Sequence, residues 1–141
     1  MTDKSFTTVR QVMTAETRMV DGLATVSDAV ALMRRHSVSS LVIDKRHEGD
    51  EYGILVVHDI AEKVIGEDRA PERTSVYEVM SKPVLTVDAE MDIKYAVRLL
   101  ARFGLSRSLV TEAGKLVGIV TLRDMVFRYL GAAGTGGPAS S

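Results

Sequence analysis

The chain of 141 residues contains no cysteine, which excludes a disulfide framework, thiolate metal ligation and a cysteine nucleophile, and leaves the redox compartment open. It has no excess of either charge. Lys+Arg 18 against Asp+Glu 19 gives a formal net charge of -1, so no global positive field recruits nucleic acid or a membrane surface, and any anion site has to be local. No apolar run approaches the ~20 residues of a membrane span, and Met1-Thr2-Asp3-Lys4 lacks the charged and apolar stretches of a signal peptide. These absences predict a cytoplasmic protein with neither a membrane nor a nucleic-acid partner. His36, His47 and His58 fall on a helix end, a turn and a helix entry, without the spacing of metal ligands, so no metal site is expected. No serine and histidine are arranged as nucleophile and base, and no glycine-rich Walker or dinucleotide fingerprint is present. The expectation is a protein that is not an enzyme.

What the chain does contain is an internal repeat, which defines the folding unit. Val12-Met13 recurs as Val79-Met80, and the same shift of 67 positions carries Val20-Asp21 onto Val87-Asp88, Ala29-Val30 onto Ala96-Val97, Leu32 onto Leu99 and Ser39 onto Ser106. A shift of 65 then carries Gly53-Ile54 onto Gly118-Ile119 and Asp59 onto Asp124. The copies therefore differ by a two-residue indel within His47 to Tyr52, of the kind a surface hairpin tolerates.

Each copy alternates strand-like and helix-like periods. In the first, Arg18-Met19-Val20 is extended, and Val26, Ala29, Val30, Leu32 and Met33 form one apolar helical face opened by a capping box of Thr25 and Asp28. Ser40 to Asp44 and Tyr52 to Val57 follow as two strands, and Asp59 to Ile65 as a helix ending at a C-terminal glycine, Gly66. In the second, Thr86-Val87 is extended, Asp92 caps a helix from Ile93 to Phe103, and Gly104 stands at its left-handed terminus. Leu109-Val110 and Leu116 to Val120 are the strand pair, followed by a helix from Leu122 to Leu130. The predicted class is α/β (α+β), each copy running strand, helix, strand, strand, helix. Residues 8–66 and 75–130 are the repeats, 67–74 a charged, solvated linker, and 131–141 a disordered tail without large apolar residues. Met33, Met80, Met91 and Met125 read as core filler, and Lys45-Arg46-His47-Glu48 with Asp50-Glu51 as a solvated hairpin tip.

The ordered recurrence of Val-Met at Val12 and Val79, of the helix entries at Ala29 and Ala96, of the strands at Leu41 and Leu109, and of the closing glycines Gly53 and Gly118 resembles a pair of CBS domains, the cystathionine beta-synthase-type repeats that form a Bateman module. The resemblance implies tandem repeats packed through their sheets about a pseudo-twofold axis, with two related clefts for adenine nucleotides or other adenosyl ligands.

The family's closing motif reads Gly, apolar, any residue, Thr or Ser, two of any kind, Asp. Gly118, Ile119, Thr121 and Asp124 satisfy it. A strand delivering the chain to a helix N-terminus offers free N–H groups and a positive dipole end to a phosphate. Thr121 adds a hydroxyl, and the Asp124 carboxylate suits the paired hydroxyls of a ribose. Thr121 and Asp124, three residues apart, are also an ordinary capping box, and both readings stand at this point. The first copy departs from the motif: Val56 occupies the hydroxyl position, and valine neither caps a helix nor donates to a phosphate.

Carried over from the family, the better cleft joins Thr17, Arg18, Val38 and Ser39 to Ile119, Thr121 and Asp124. The poorer one joins Val84, Leu85, Leu105, Ser106 and the basic Arg107 to Ile54, His58 and Asp59. The resemblance thus implies a non-catalytic regulatory module that senses an adenosine-containing ligand (AMP, ADP or ATP, alternatively S-adenosylmethionine or NAD) and signals by population shift. It requires no cofactor. A structural or interaction protein that has lost its ligand is the competing reading. A homodimer through the terminal and cleft-flanking helices is implied, with an effector protein as a further partner. The last helix, carrying Met125, Val126, Phe127, Tyr129 and Leu130, is more apolar than one core-facing stripe requires.

Overall fold

The computed structural model describes residues 6–82 and 85–133. Val84 and residues 134–141 of the expected tail lie outside them. The described residues form two compact units, one joining residues 6–16 to 85–133 and the other spanning 17–82.

In the second of these units β1 (Met19–Val20) leads to α2 (Val26–His36), β2 (Ser40–Ile43), β3 (Gly53–Val56) and α3 (Val57–Ile60). The expected capping box at Thr25 is present: Thr25 Oγ1 accepts from the Asp28 N–H at 3.0 Å, and an Asp28 oxygen accepts from the Thr25 N–H at 3.3 Å. β1 and β2 are parallel, β2 and β3 antiparallel. Leu41, Ile43 and Leu55 on the sheet meet Val26, Ala29 and Met33 of α2 in one buried core.

The other unit opens with the short helix α1 (Val9–Val12) and continues with β4 (Thr86–Asp88), α4 (Ile93–Arg102), β5 (Arg107–Glu112), β6 (Lys115–Thr121) and α5 (Leu122–Ala133). The Asp92 carboxylate accepts from the Lys94 N–H at 2.9 Å, as a cap should, and Gly104 adopts φ 65°, the left-handed terminus its sequence position predicts. The sheet repeats the first: β4 parallel to β5, β5 antiparallel to β6. The hairpin between them turns through Ala113 and Gly114, both at positive φ.

The opening segment of each copy is built into the unit formed by the other. Val9 and Val12 are buried among Val87, Ile93, Leu100 and Met125, while Val76 and Val79 are buried among Val26, Leu41 and Leu55. Burying a valine contributes ~1.5–3 kcal/mol, so each opening segment is a structural part of its unit. It is also stitched by backbone. Thr14 and Ile119 exchange two hydrogen bonds at 2.8 and 3.0 Å, and Ser81 and Ile54 exchange two at 2.9 and 3.1 Å.

Several expectations are corrected. The first copy's closing helix begins at Val57 rather than Asp59, and its second half, Ala61–Ile65, is wound as a π-helix. Gly66 is right-handed there, at φ -63°; its lack of a side chain serves close approach, because a Cβ would lie 2.7 Å from the Glu62 carbonyl oxygen. The linker is folded. Pro71–Arg73 makes a 3-10 turn, and Thr74 is buried with its hydroxyl donating to Ala70 O at 2.8 Å. The last helix runs to Ala133, so residues 131–133 are helical rather than tail. Among the described residues no helix is long and apolar enough to cross a membrane.

Candidate functional site

The closing motif of the second copy sits where β6 passes into α5. Thr121 is the residue before the helix, and its Oγ1 accepts from the Asp124 N–H at 2.9 Å. Thr121 is therefore a helix cap, as one of its two sequence readings required. Capping uses one acceptor site and leaves the hydroxyl proton to be donated elsewhere, so the cap and a ligand role are compatible. The Asp124 carboxylate is half-buried in the first turn of α5, and none of the ion pairs among the described residues engages it. Ile119 is half-buried on β6, held by its bridge to Thr14.

Strand register decides what faces this turn. Arg107, the first residue of β5, stands directly across from Thr121, and the Ser106 carbonyl accepts from the Leu122 N–H at 2.9 Å. Thr121, Asp124, Arg107 and Ser106 thus converge at one end of one sheet, a cation and an exposed serine beside a helix N-terminus. The Arg107 guanidinium makes no hydrogen bond or ion pair among the described residues. Leu85 immediately precedes β4, where its carbonyl accepts from the buried Ser108 hydroxyl at 2.8 Å, and Leu105 is 40% exposed.

The first copy's turn has the same frame and different chemistry. Ser40 faces Val56 in the register, and the Ser39 carbonyl accepts from the Val57 N–H at 3.2 Å. Val56 stands as the residue before α3 with no side-chain cap. Asp59 is half-buried in the first turn and Ile54 is buried on β3. His58 is exposed, its Nε2 3.9 Å from Glu62 on the next turn of the same helix, which is the solvated environment of a surface histidine. Thr17 and Arg18 precede β1 half-buried, with the Arg18 carbonyl accepting from the Val42 N–H at 2.8 Å; Val38 follows the left-handed end of α2. Thr17, Arg18, Val38 and Ser39 belong to the unit of Ile54, His58 and Asp59, whereas Arg107 belongs to that of Thr121 and Asp124.

Other structured features escaped the sequence reading. Lys63 Nζ donates to the Val79 carbonyl at 3.3 Å, and Arg128 Nη1 donates to the Val12 and Met13 carbonyls at 3.1 and 3.0 Å. The two are related by the same shift of 65, so the available signal was a pair of matched cations on the closing helices, satisfying carbonyls at the end of the opening segment. The hairpin at Lys45 to Glu51 is not merely a solvated tip. Asp50, whose side chain is 9% exposed, pairs with Lys82 at 2.6 Å and accepts from the Arg46 N–H at 2.8 Å, and these contacts hold its carboxyl well below the usual carboxylate range. Among the described residues no group of three or more His, Asp or Glu is placed to hold a metal.

A family model for the CBS domain matches residues 9–66 and 76–131. An uncharacterized protein of Methanopyrus kandleri is 38% identical over 96 residues, covering 67% of this chain and 48% of its own length. The chain spans less than half the length of this relative and of a Thermofilum pendens protein, of which it covers 43%. Among solved structures, a hexameric CBS-CP12 protein from bloom-forming cyanobacteria superposes with a TM-score of 0.86 at 33% identity, covering 92% of this chain and 71% of that one. A CBS domain pair in complex with 5'-methylthioadenosine and S-adenosyl-L-methionine shares the fold, with a TM-score of 0.77 at 20% identity over 91% of this chain and 99% of that one. With both copies matched from their opening valines to their closing helices, the chain belongs to the CBS-domain family, as a tandem of two CBS domains.

Proposed function

We propose that this chain is a regulatory, non-catalytic binding module whose ligand is an adenosine-containing molecule, AMP, ADP or ATP first among them, held at the turn from β6 into α5. The observation that carries the reading is the convergence there of Thr121, Asp124 and Arg107. The positive end of α5 and the Arg107 guanidinium serve the phosphates, the Thr121 hydroxyl donates to a phosphate oxygen, and Asp124 accepts from the ribose hydroxyls. Binding acts by population shift. Occupancy biases a conformational equilibrium by no more than the ligand's difference in affinity for the two states, and the bias reaches an effector protein or a second copy of the chain. The copy is favoured by the exposed apolar residues of α4 and α5, among them Tyr95 at 52%, Phe127 at 59% and Leu130 at 58% exposure, and a dimer is the state expected by light scattering.

Calorimetric titration of the whole chain with AMP, ADP, ATP, S-adenosylmethionine and NAD tests the reading. The expected result is saturable heat with at least one, abolished by Asp124→Ala without a change in far-ultraviolet circular dichroism. Absence of heat with all five overturns it and leaves an interaction protein, and binding indifferent to Asp124→Ala overturns the placement at the turn from β6 into α5.

A further inference from the structure

The two units diverge at the opposite end of their sheets, beyond the C-terminal ends of the parallel strands. In the unit of β4 and β5 this end is closed by charge: Arg10 of α1 donates to Glu90 at 2.8 Å and to Glu112 at 2.6 Å, and the two carboxylates, Glu112 foremost, raise the guanidinium's pKa. The shift of 67 maps these three residues onto Tyr77, Leu23 and Lys45. A ring replaces the guanidinium, a leucine replaces one carboxylate, and the remaining position changes sign. No ion pair joins these three matched positions, and a pocket of about 500 Å³ lies there, lined by Leu23, Ile43, Asp44, Lys45, Arg46 and Tyr77 among others, within the ~300–1,000 Å³ of small-molecule sites.

The lining offers both charges around an apolar wall. Asp21 and Asp44 follow Val20 and Ile43, which are register partners on neighbouring parallel strands. Each aspartate uses one oxygen on a local backbone N–H, Leu23 at 2.9 Å and Lys45 at 2.7 Å, leaving the other to accept. Arg46 lies with its guanidinium carbon 4.5 Å from the Tyr77 ring centre, and its contact with Asp50 is 3.5 Å long, Asp50 being held at 2.6 Å by Lys82. Arg46 is therefore a cation able to turn to an incoming anion, beside Lys45, whose Nζ lies 5.0 Å from the Tyr52 ring centre. The Tyr77 hydroxyl is buried without a hydrogen-bond partner among the described residues. A buried hydroxyl left unmatched is costly, and an acceptor brought to it recovers that cost.

We propose that this pocket is a second ligand site, distinct from the β6–α5 turn, for a small zwitterion of the α-amino acid class with an apolar side chain. The ammonium is taken by Asp21 and Asp44, the carboxylate by Arg46 and the Tyr77 hydroxyl, and the side chain by Leu23 and Ile43. A nucleotide is disfavoured because its phosphates meet the two aspartates. The test is a nitrogen-15 amide titration of the whole chain with L-leucine, L-methionine and, as a control lacking the ammonium, 4-methylpentanoate. The expected result is saturable shifts confined to residues 19–23, 43–46 and 77 with an amino acid and none with the control. Tyr77→Phe weakens binding about tenfold, the scale of one hydrogen bond, while leaving Tm unchanged or higher, since it removes an unmatched polar group. Asp124→Ala leaves this binding intact, so the outcome is independent of nucleotide recognition. Absence of saturable shifts with both amino acids, binding of 4-methylpentanoate with equal affinity, or full affinity in Tyr77→Phe overturns the proposal.

Discussion

The two closing segments of this chain begin from the same backbone and end differently. Both leave an antiparallel strand, both carry an aspartate in the first helical turn, and both are stitched through Ile54 or Ile119 to an opening segment. At Thr121 a hydroxyl caps a helix that continues regularly to Ala133. At Val56 the cap is missing, and the helix passes after one turn into a π-helix. The difference teaches that the fold of the repeat does not depend on the hydroxyl. Packing of the opening segment and of the buried Ile60 and Val64 holds the uncapped helix in place.

The comparison is sharpened most by the closing glycines. A Cβ on Gly118 would lie 2.7 Å from the Thr14 carbonyl oxygen as well as 2.7 Å from Met13 Sδ, whereas on Gly53 the near atom is the thioether sulfur of Met80 at 2.8 Å. A methionine side chain moves and a bridged carbonyl does not. Gly118→Ala is expected to destabilise by about 3 kcal/mol and Gly53→Ala by about 1 kcal/mol, the two ends of the overpacking range, as read from urea unfolding. Equal losses would show that the opening segments are equally yielding.

Exchanging the caps is the next step down. Thr121→Val is expected to cost about 1 kcal/mol, and Val56→Thr to gain a similar amount or less, with the gain visible as a higher urea midpoint. A Val56→Thr variant no more stable than the parent would mean that the π-helical half, rather than the missing cap, sets the strength of that helix. The smallest effect concerns the ends of the long helices. Ser37 and Gly104 are equivalent under the 67-residue shift, and both are left-handed, at φ 54° and 65°. Glycine alone adopts that conformation without a steric penalty, so Ser37→Gly is expected to stabilise by about 0.5–1 kcal/mol, measured as a rise in Tm.

Much of the architecture was legible in the sequence because its signals are local and repeated. The box of Thr25 and Asp28, the cap at Asp92 and the left-handed Gly104 rest on residues adjacent along the chain, and the apolar spacing from Val26 to Met33 marks a face whatever it packs against. Ser37 was not legible, since serine carries no sequence mark of positive φ. Asp50 read as one more charge on a solvated tip, because nothing in its own hairpin announces the partner at Lys82. At the site, Thr121 and Asp124 were visible as a motif, but the placing of Arg107 opposite Thr121 depends on a strand register that periodicity leaves open.

By itself the sequence determined that one unit is used twice, the order of its elements, and which copy keeps the hydroxyl of the closing motif. All of these follow from matched residues and from periods of two and 3.6 along a short stretch of chain. Only the tertiary structure decided that each opening segment completes the other copy's core, with Arg128 reaching the carbonyl of Val12 across 116 positions. It also decided that the contact between Arg10 and its two glutamates has no equivalent at Tyr77. The physical reason is common to both: burial and pairing act between surfaces brought together by folding, and a sequence pattern records that a surface exists without recording what meets it.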